Sequence, residues 1–316
     1  MIAFGPVPSR RLGYSLGINH IPPKHCSYSC VYCQVGRTTQ LETKSQVFYP
    51  VDLIIEEVEQ KIQESYKAGR AIDFLSLVPD GEPTLDKNLY QLIKGLSTFR
   101  IPVAVISNAS LLDRDEVQEA LCLADWVSLK VDTLNEYDWH RIDRPHGSLS
   151  LSSVLTGILA FRKQFQGELV TETMIISGIN DDKQSMLQLT NYLQELQPFK
   201  SYLSIPVRPP AESWVKAPDN ESIRIILDVI QQELPFAEVL FDQENADFES
   251  TGNIVDDILA ILAVHPIYEN ALRSMLKKAG ADWSIIEGLL KAGTISTIQY
   301  RDKLFFISNI HNKKEI

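Results

Sequence analysis

The alternation of short apolar runs with longer amphipathic segments is the feature that most constrains the fold of this chain. Seven apolar or β-branched runs have the length of buried strands, at 14–21, 71–78, 102–107, 125–132, 169–177, 201–207 and 237–241. Six segments with apolar residues at helical intervals separate them, at about 52–68, 86–98, 113–122, 151–165, 182–197 and 219–234. Strand-then-helix repetition predicts a parallel sheet. Six or so such units favour an α/β fold built as a whole or partial barrel.

The pattern changes after residue 241. Residues 242–253 are polar and are typical of a linker. Helical patterns and then two strand-like runs follow, at 254–264, 268–280, 284–293, 294–300 and 303–308. Three helices followed by a β-hairpin is the order of a winged helix. We therefore predict a large domain at 1–245 and a small winged-helix-like domain at 254–312.

The composition is that of a soluble globular protein, with 44% hydrophobic and 22% charged residues. The first residues lack the apolar stretch of a signal peptide, and no run reaches the ~18 apolar residues that would cross a bilayer. These features predict a cytoplasmic protein with no membrane partner. The net charge of −11 argues against a protein that coats nucleic acid. Residues 251–316 are nearly neutral, with eight Lys or Arg and seven Asp or Glu.

Three of the four cysteines, Cys26, Cys30 and Cys33, lie within the stretch HCSYSCVYCQ at residues 25–34. In a reducing compartment, clustered cysteines more often hold metal or do redox work than form structural disulfides. Three thiolates with one open position are typical of a reactive iron–sulfur cluster, in which one iron is left for a substrate or cofactor.

Structural zinc is the main alternative, and it requires a closed shell of four ligands. The fourth ligand would have to be His20, His25 or Cys122, and none of these lies at a usual zinc spacing. Cys122, in EALCLADW, is typical of an apolar helix residue that packs in a core. The pattern favours an open cluster over zinc or over three unrelated cysteines.

Two further polar motifs follow predicted strands. The segment VPDGEPTL (78–85) ends the second strand, and ISNAS (106–110) ends the third. The cysteines follow the first strand. Because the carboxyl ends of parallel strands meet at one mouth of a barrel, we expect all three motifs to lie together.

The spacing Cys26-x3-Cys30-x2-Cys33, with Tyr32 before the last cysteine, resembles the signature of radical S-adenosylmethionine (SAM) enzymes. The resemblance covers about residues 10–245 and implies a partial (β/α)6-type barrel. It implies that the three cysteines are ligands of a [4Fe–4S] cluster and that Tyr32 contacts the cofactor.

The two strand-end motifs extend this resemblance. Gly81, Glu82 and Pro83 are similar to the Gly-Glu motif that holds the amino group of SAM, and Asn108 matches a segment that contacts the SAM ribose or carboxylate. The resemblance implies that one electron from the reduced cluster cleaves SAM and releases a 5′-deoxyadenosyl radical. This radical abstracts a hydrogen atom from a substrate.

Polar residues on the fourth and fifth predicted strands are further candidates. Ser128, Lys130 and Asp132 share one face by the two-residue strand period, which favours a wet cavity with Asp132 as the partner of Lys130. We expect Lys130 to lie near the SAM carboxylate or the substrate. In LVTETM, either Thr173 or Glu172 can point inward, and the resemblance implies a SAM contact for Thr173.

Three loops supply candidates for substrate contact. Arg208 follows the sixth strand in PVRPPAESW, where it could bind an anionic group. The segment HRIDRPHG (140–147) gathers His140, Arg141, Arg144 and His146 in one predicted loop. The basic stretch PSRRLG includes Arg10 and Arg11. The candidate catalytic residues are Lys130, Asp132, His140 and Arg208.

The segments GPVPSRRLGYSLGIN, VRPPAESW and STGN…VHP resemble Fe–S oxidoreductases related to demethylwyosine synthase. We predict a radical SAM enzyme with an unidentified substrate, which could be a small molecule, a peptide or tRNA, and a one-electron donor such as flavodoxin or ferredoxin. A tRNA-modifying enzyme of the demethylwyosine-synthase type is the first alternative. The second is a cluster-containing regulator with a winged helix.

Overall fold

The structure is a computed structural model, and it describes residues 2–9, 11–240, 253–264 and 266–309. The strands in chain order are β1 (Ala3–Ser9), β2 (Gly13–Ile18), β3 (His25–Cys26), β4 (Gln40–Leu41), β5 (Phe74–Leu77), β6 (Val103–Ser107), β7 (Trp126–Lys130), β8 (Glu168–Met174), β9 (Lys200–Ser204), β10 (Ala237–Leu240), β11 (Ile267–Tyr268), β12 (Ile295–Tyr300) and β13 (Lys303–Ser308). The helices are α1 (Val51–Lys67), α2 (Leu89–Leu96), α3 (Asp115–Leu121), α4 (Glu136–Ile142), α5 (Leu151–Gln164), α6 (Lys183–Leu196), α7 (Asn220–Glu233), α8 (Ile254–Val264), α9 (Glu269–Lys278) and α10 (Ser284–Lys291).

One sheet organises residues 3–240, with strand order β1-β2-β5-β6-β7-β8-β9-β10. From β2 to β10 every neighbouring pair is parallel, and only the β1–β2 pair is antiparallel. Helical connections join successive parallel strands. The predicted α/β fold with a mostly parallel sheet is confirmed.

The two faces of the sheet bury different side chains, because successive residues of a strand point to opposite faces. On β7, Val127 and Leu129 belong to the main core against the helices. Trp126, on the other face, packs in a smaller cluster with Leu12, Ala104, Val170 and Tyr202. That second face is therefore largely buried as well, although Lys130 on it keeps 20% of its side chain exposed.

Strand β1 and helix α4 were missed by the sequence analysis, as were the two-residue strands β3, β4 and β11. Strand β1 adds an antiparallel edge in a region predicted only as a basic stretch before the first strand, and Pro6 and Pro8 interrupt its strand pattern. Helix α4 occupies 136–142, where the sequence analysis placed the start of a loop. Asn135 caps α4 by accepting hydrogen bonds from the backbone N–H groups of Tyr137 and Asp138, at 2.9 and 3.1 Å.

Residues 254–308 form a helix, a short strand, two helices and a β-hairpin, with strand order β11-β13-β12. The three predicted helices and the hairpin are present, and β11 is an addition. This unit has its own apolar cluster, which includes Leu272, Met275 and Phe306. Val7 of β1 packs against that cluster. Most of the predicted linker, residues 242–252, lies outside the described residues.

No helix among the described residues combines the length and the apolar character that a membrane crossing requires.

Candidate active site

The cysteine loop leaves the carboxyl end of β2 and is held by its own backbone turns. The Cys33 N–H donates to the Cys30 carbonyl at 3.1 Å, and the Gly36 N–H donates to the Cys33 carbonyl at 3.2 Å. Strand β3, which contains Cys26, pairs with β4 through His25 and Gln40. All three thiols therefore project from one short, hydrogen-bonded loop.

The Gly-Glu loop lies directly against the cysteine loop. His25 and Gly81 form a parallel bridge, and the Glu82 N–H donates to the His25 carbonyl at 3.0 Å. A Cβ atom at Gly81 would lie 2.1 Å from the His25 carbonyl oxygen, which no side chain can tolerate. Glycine is needed here because two backbones approach closely.

Glu82 is buried, and it connects the loop after β5 to the carboxyl end of β6. Its Oε1 accepts from the Thr84 hydroxyl at 2.6 Å, the Ser107 hydroxyl at 2.7 Å and the Thr84 N–H at 3.1 Å. Its Oε2 accepts from the Asn108 N–H at 2.8 Å. Burial raises the pKa of Glu82, and these donors oppose that rise. No cation is among its donors in the described part of the chain, so an ionised Glu82 leaves negative charge at this mouth.

Asn108 connects the carboxyl end of β6 to Cys26, the first of the three cysteines. Its side-chain amide donates to the Ser27 hydroxyl at 2.9 Å and lies 3.6 Å from the Cys26 sulfur. Ser27 in turn shares a 2.6 Å hydrogen bond with Ser110. The structure thus brings together the cysteines, Gly81, Glu82 and Asn108, which the sequence analysis placed at one mouth.

The three thiols fit a metal cluster. Burial is the first cause of the raised pKa of Cys26, Cys30 and Cys33, and their mutual charges add to the rise for Cys26 and Cys30. Thiols in this environment hold their protons until a metal replaces them. Within the described ranges, no three His, Cys, Asp or Glu side chains converge on a point that could hold one metal ion. A cubane is larger than an ion and does not require such convergence.

The segment 142–146 pairs with the backbone of the cysteine loop. Val31 and His146 donate their N–H groups to the carbonyls of Ile142 and Ser27, at 2.9 Å each. Asp143, which lies between them and is buried, accepts from the Cys30 thiol at 3.3 Å. Sequence reasoning singled out the cationic residues of this segment and missed the carboxylate.

A second carboxylate lies beside Asp143. The Tyr32 hydroxyl donates to Asp132 Oδ2, and the Met174 N–H donates to Asp132 Oδ1 at 2.6 Å. Burial and then the charge of Asp132 raise the pKa of Asp143 well above its ordinary value. The hydroxyl group of Tyr32 is therefore held by Asp132. The Lys130 ammonium lies 5.7 Å from the centroid of the Tyr32 ring.

Lys130 is paired with Glu172, and the prediction of Asp132 as its direct partner is wrong. Lys130 Nζ donates to Glu172 Oε2 at 2.9 Å, and the Ser128 hydroxyl donates to Oε1 at 2.8 Å. Arg11 forms a further ion pair with Glu172. The register explains the choice, because Lys130 and Glu172 are aligned neighbours on β7 and β8, whereas Asp132 lies past the end of β7. Burial lowers the pKa of Lys130.

Thr173 lies on the opposite face of β8 from Glu172. Its hydroxyl donates to the Val131 carbonyl at 2.7 Å, and it is buried. The sequence analysis left the inward face open between these two residues, and the structure brings Glu172, not Thr173, together with Lys130. The strand pattern alone was compatible with either face.

His140 lies on α4, which follows the carboxyl end of β7. It occupies the exposed surface of α4, with 54% of its side chain accessible, and pairs with Glu136 one turn earlier at 3.6 Å. The expectation that His140 shares the site is therefore wrong. It failed because an amphipathic helix carries residue 140 outward where the sequence analysis placed a loop. Arg10 lies outside the described residues.

Loops from three parts of the chain meet around Glu212. Its Oε1 accepts from Arg37 at 2.8 Å and from Arg144 at 2.5 Å, and its N–H donates to the Val31 carbonyl at 3.0 Å. Nearby, Arg208 donates to the side-chain oxygen of Gln34 at 3.0 Å. Arg208 thus lies beside the residue that follows Cys33. Glu212 was missed, since a single Glu in a Pro-rich loop carries no sequence signal.

The sheet, the cysteine loop and the buried Gly-Glu loop define the class of protein. Residues 21–190 match the model of the radical SAM superfamily, and the chain belongs to that superfamily. It is 42% identical over 314 residues to a UPF0026 protein of Methanocaldococcus jannaschii, covering 99% of this chain and 97% of that protein.

Two solved structures share the fold. Streptococcus suis SuiB bound to S-adenosylmethionine matches 73% of this chain with a TM-score of 0.52 at 12% identity, and the chain spans about half of that protein, 52%. TYW1 with a lysine–pyruvate adduct bound matches 69% of this chain and 74% of that chain, with a TM-score of 0.54 at 15% identity.

Superfamily membership confirms the predicted class of cofactor. Members of the radical SAM superfamily are enzymes that bind a [4Fe–4S] cluster and S-adenosylmethionine. At 12–15% identity the two solved structures establish the fold and not a shared reaction.

Proposed function

We propose that this protein is a radical SAM enzyme in which Cys26, Cys30 and Cys33 hold the [4Fe–4S] cluster. The observation that carries this proposal is the backbone bridge between His25 and Gly81, which joins the cysteine loop to the Gly-Glu loop. When bound, the cluster and SAM supply reductive cleavage of the SAM sulfonium bond and abstraction of hydrogen from a substrate. The reducing electron comes from a partner such as flavodoxin or ferredoxin.

The Glu82 region suits the cationic amino group of SAM. Glu82 is fixed by neutral donors, so its charge is available to a cation without first breaking an ion pair. Asn108 spans the distance between this carboxylate and Cys26. We assign Gly81, Glu82, Pro83 and Asn108 to the SAM site on this basis.

The other predicted contacts receive different roles. Tyr32 and Asp132 form a buried pair beneath the cysteine loop, where they position that loop. Lys130, with Glu172 and Arg11, forms the polar floor of the largely buried sheet face, where the substrate can meet charged groups. Arg208 orients Gln34 next to Cys33.

The C-terminal unit completes the proposal. We assign residues 1–245 to the catalytic domain and 254–312 to a small winged-helix-like domain. The element order and the separate apolar cluster support this division. We also propose a cytoplasmic location. The comparisons favour neither of the two alternative functions, the tRNA-modifying enzyme and the DNA-reading regulator.

The direct test is anaerobic reconstitution of the full chain with iron and sulfide, followed by dithionite and SAM. We expect absorbance near 400 nm and formation of 5′-deoxyadenosine, and both should be lost in Cys30→Ala. Cys122→Ser is the matched control, because Cys122 is half-buried at the end of α3 and away from the loop. Full absorbance in Cys30→Ala, or loss of iron in Cys122→Ser, would contradict the ligand assignment.

A further inference from the structure

A buried ion pair joins Lys24, two residues before Cys26, to Asp80, two residues before Glu82. Lys24 Nζ lies 3.4 Å from Asp80 Oδ1, and the two side chains are only 9% and 1% exposed. The backbones are joined as well, because the Lys24 N–H donates to the Asp80 carbonyl at 2.8 Å. Charges withdrawn from water in this way act strongly on neighbouring groups, since water and salt screen them little.

The backbone at Lys24 is held in a conformation that lysine rarely adopts. Its φ angle of 67° lies in the left-handed region, where glycine is favoured. Two hydrogen bonds fix it there, the donation to Asp80 and a 3.0 Å bond that the Lys24 carbonyl accepts from the Gln40 N–H. Strained backbone of this kind persists where the surrounding structure holds it, and it is common at functional sites. A lysine at a position that favours glycine indicates a role for its side chain.

The Lys24 ammonium lies against the part of the cysteine loop that contains Cys33. A Cβ atom added at Gly36 would lie 3.7 Å from Lys24 Nζ, and the Gly36 N–H donates to the Cys33 carbonyl at 3.2 Å. Lys24 and Cys33 also line the same cleft. Burial raises the pKa of the Cys33 thiol, and Lys24 opposes that rise more strongly than Asp80 adds to it. Lys24 therefore acts on Cys33 more strongly than its own partner does.

The other two cysteines lie beside carboxyl groups. Asp143 Oδ1 lies 3.3 Å from the Cys30 sulfur, and after burial its charge is the main cause of the raised pKa of Cys30. For Cys26, the main cause after burial is the charge of Glu82. When ionised, these carboxyl groups disfavour added negative charge in the loop, whereas Lys24 favours it. The cysteine loop is therefore electrostatically unequal, with a buried cation at its Cys33 end.

This inequality matters for reduction, which adds one electron to the cluster. The reduction potential of an iron–sulfur cluster depends on the net charge around it, on hydrogen bonds to its sulfurs and on its exposure to solvent. A buried cation beside one ligand stabilises the reduced state more than the oxidised state and so raises the potential. A carboxylate in the same place lowers it.

We propose that Lys24 raises the reduction potential of the cluster through Cys33, and that Asp80 limits the size of this effect by pairing with Lys24. The one-electron donor loses the electron that the cluster gains, and no proton is transferred in this step. Lys24 acts through Cys33 and is therefore a positioning residue. The inference rests on the proposed function, because it requires the cluster to be held by the three cysteines.

Anaerobic redox titration of the reconstituted full chain, without SAM, tests the proposal, with the reduced cluster measured by electron paramagnetic resonance. Lys24→Met keeps the length of the side chain and removes its charge. We expect its equilibrium constant for reduction to fall about tenfold, which lowers the potential by about 59 mV for one electron. Asp80→Asn leaves Lys24 uncompensated, and we expect its potential to rise. Loss of a purely structural contact would not shift the potential in opposite directions.

Lys61→Met is the matched control, because Lys61 pairs with Glu64 on α1 at 2.9 Å and its replacement changes the net charge of the chain equally. Its potential should equal that of the wild type, and a fall as large as in Lys24→Met overturns the proposal. An unchanged or lower potential in Asp80→Asn also overturns it, whether or not Lys24→Met retains its cluster.

The wild-type protein separates this inference from the proposed function. If the wild type gives no [4Fe–4S] signal after reconstitution and reduction, the proposed function fails, and the role of Lys24 fails with it. A normal wild-type signal with unshifted potentials in Lys24→Met and Asp80→Asn overturns only the role of Lys24.

Discussion

Two buried carboxylates, Glu82 after β5 and Glu172 on β8, are stabilised in opposite ways. Glu82 is held by hydroxyl and backbone N–H donors of Thr84, Ser107 and Asn108. Glu172 is held mainly by the cations Lys130 and Arg11. A carboxylate with neutral donors keeps its charge available to a ligand, whereas an ion-paired carboxylate has that charge already compensated. The first arrangement suits a cation-binding site, and the second suits a structural floor.

Removing the Glu82 carboxylate should have the largest effect. We expect Glu82→Ala to weaken SAM binding by about a thousandfold, about 4 kcal/mol, because truncating one partner of a buried, hydrogen-bonded charge pair typically costs about 2–5 kcal/mol. Equilibrium dialysis of SAM with the reconstituted protein measures the loss. Glu82→Gln keeps the shape and loses the charge. Unchanged affinity in both variants would show that Glu82 only holds the loops together.

Removing the Glu172 carboxylate should lower the free energy of unfolding more than it weakens SAM binding. Glu172→Gln leaves Lys130 and Arg11 without their carboxylate, and we expect a loss of about 3–5 kcal/mol in the free energy of unfolding. Urea denaturation measures this loss. The control is Glu238→Gln, because Glu238 pairs with Lys200 at the same 2.9 Å on the surface and should lose less than about 1 kcal/mol. Equal losses in the two variants would show that the buried ion pair stabilises the fold no more than the surface pair does.

A buried histidine near the Gly-Glu loop should make the free energy of unfolding depend on pH. His20 is fully buried near the Pro83 carbonyl, and burial lowers its pKa to about 4. The unfolded chain binds this proton at about pH 6.5, so stability should fall as the pH drops from about 7 to about 4. The share from His20 is about 3 kcal/mol by that difference in pKa.

His20→Gln isolates this contribution, since glutamine is neutral throughout the range. The wild type should lose about 3 kcal/mol more than the variant between pH 7 and pH 4, measured by urea denaturation at each pH. Parallel pH profiles of the two proteins would show that His20 is protonated in the folded state.

The smallest effect is expected outside both regions. His140 lies on the exposed face of α4 with Glu136, and surface pairs of this kind contribute less than about 0.5 kcal/mol. His140→Ala should therefore leave stability and SAM cleavage unchanged. A tenfold loss of 5′-deoxyadenosine formation in this variant would show that His140 contributes to the reaction.

Much of the fold was predictable because it depends on local periodicity. The strand at 126–130 and the helix at 183–196 each lie within a predicted run, with ends that differ by a few residues. Strand β1 was not predictable, because Pro6 and Pro8 break its pattern and only pairing with β2 makes it a strand. Helix α4 was missed because its last residues, 140–142, begin the segment 140–147 that was predicted as a loop.

The amino-acid sequence by itself determined the spacing of Cys26, Cys30 and Cys33, the glycine before Glu82 and the alternation of strands and helices from β5 to β10. Only the tertiary structure decided which charges meet, so Lys130 pairs with Glu172 and not with Asp132. It also placed Glu212 between Arg37 and Arg144, which are distant in the chain. The physical reason is that periodicity and motif spacing are local properties, whereas ion pairs depend on strand register and on loops that meet in space.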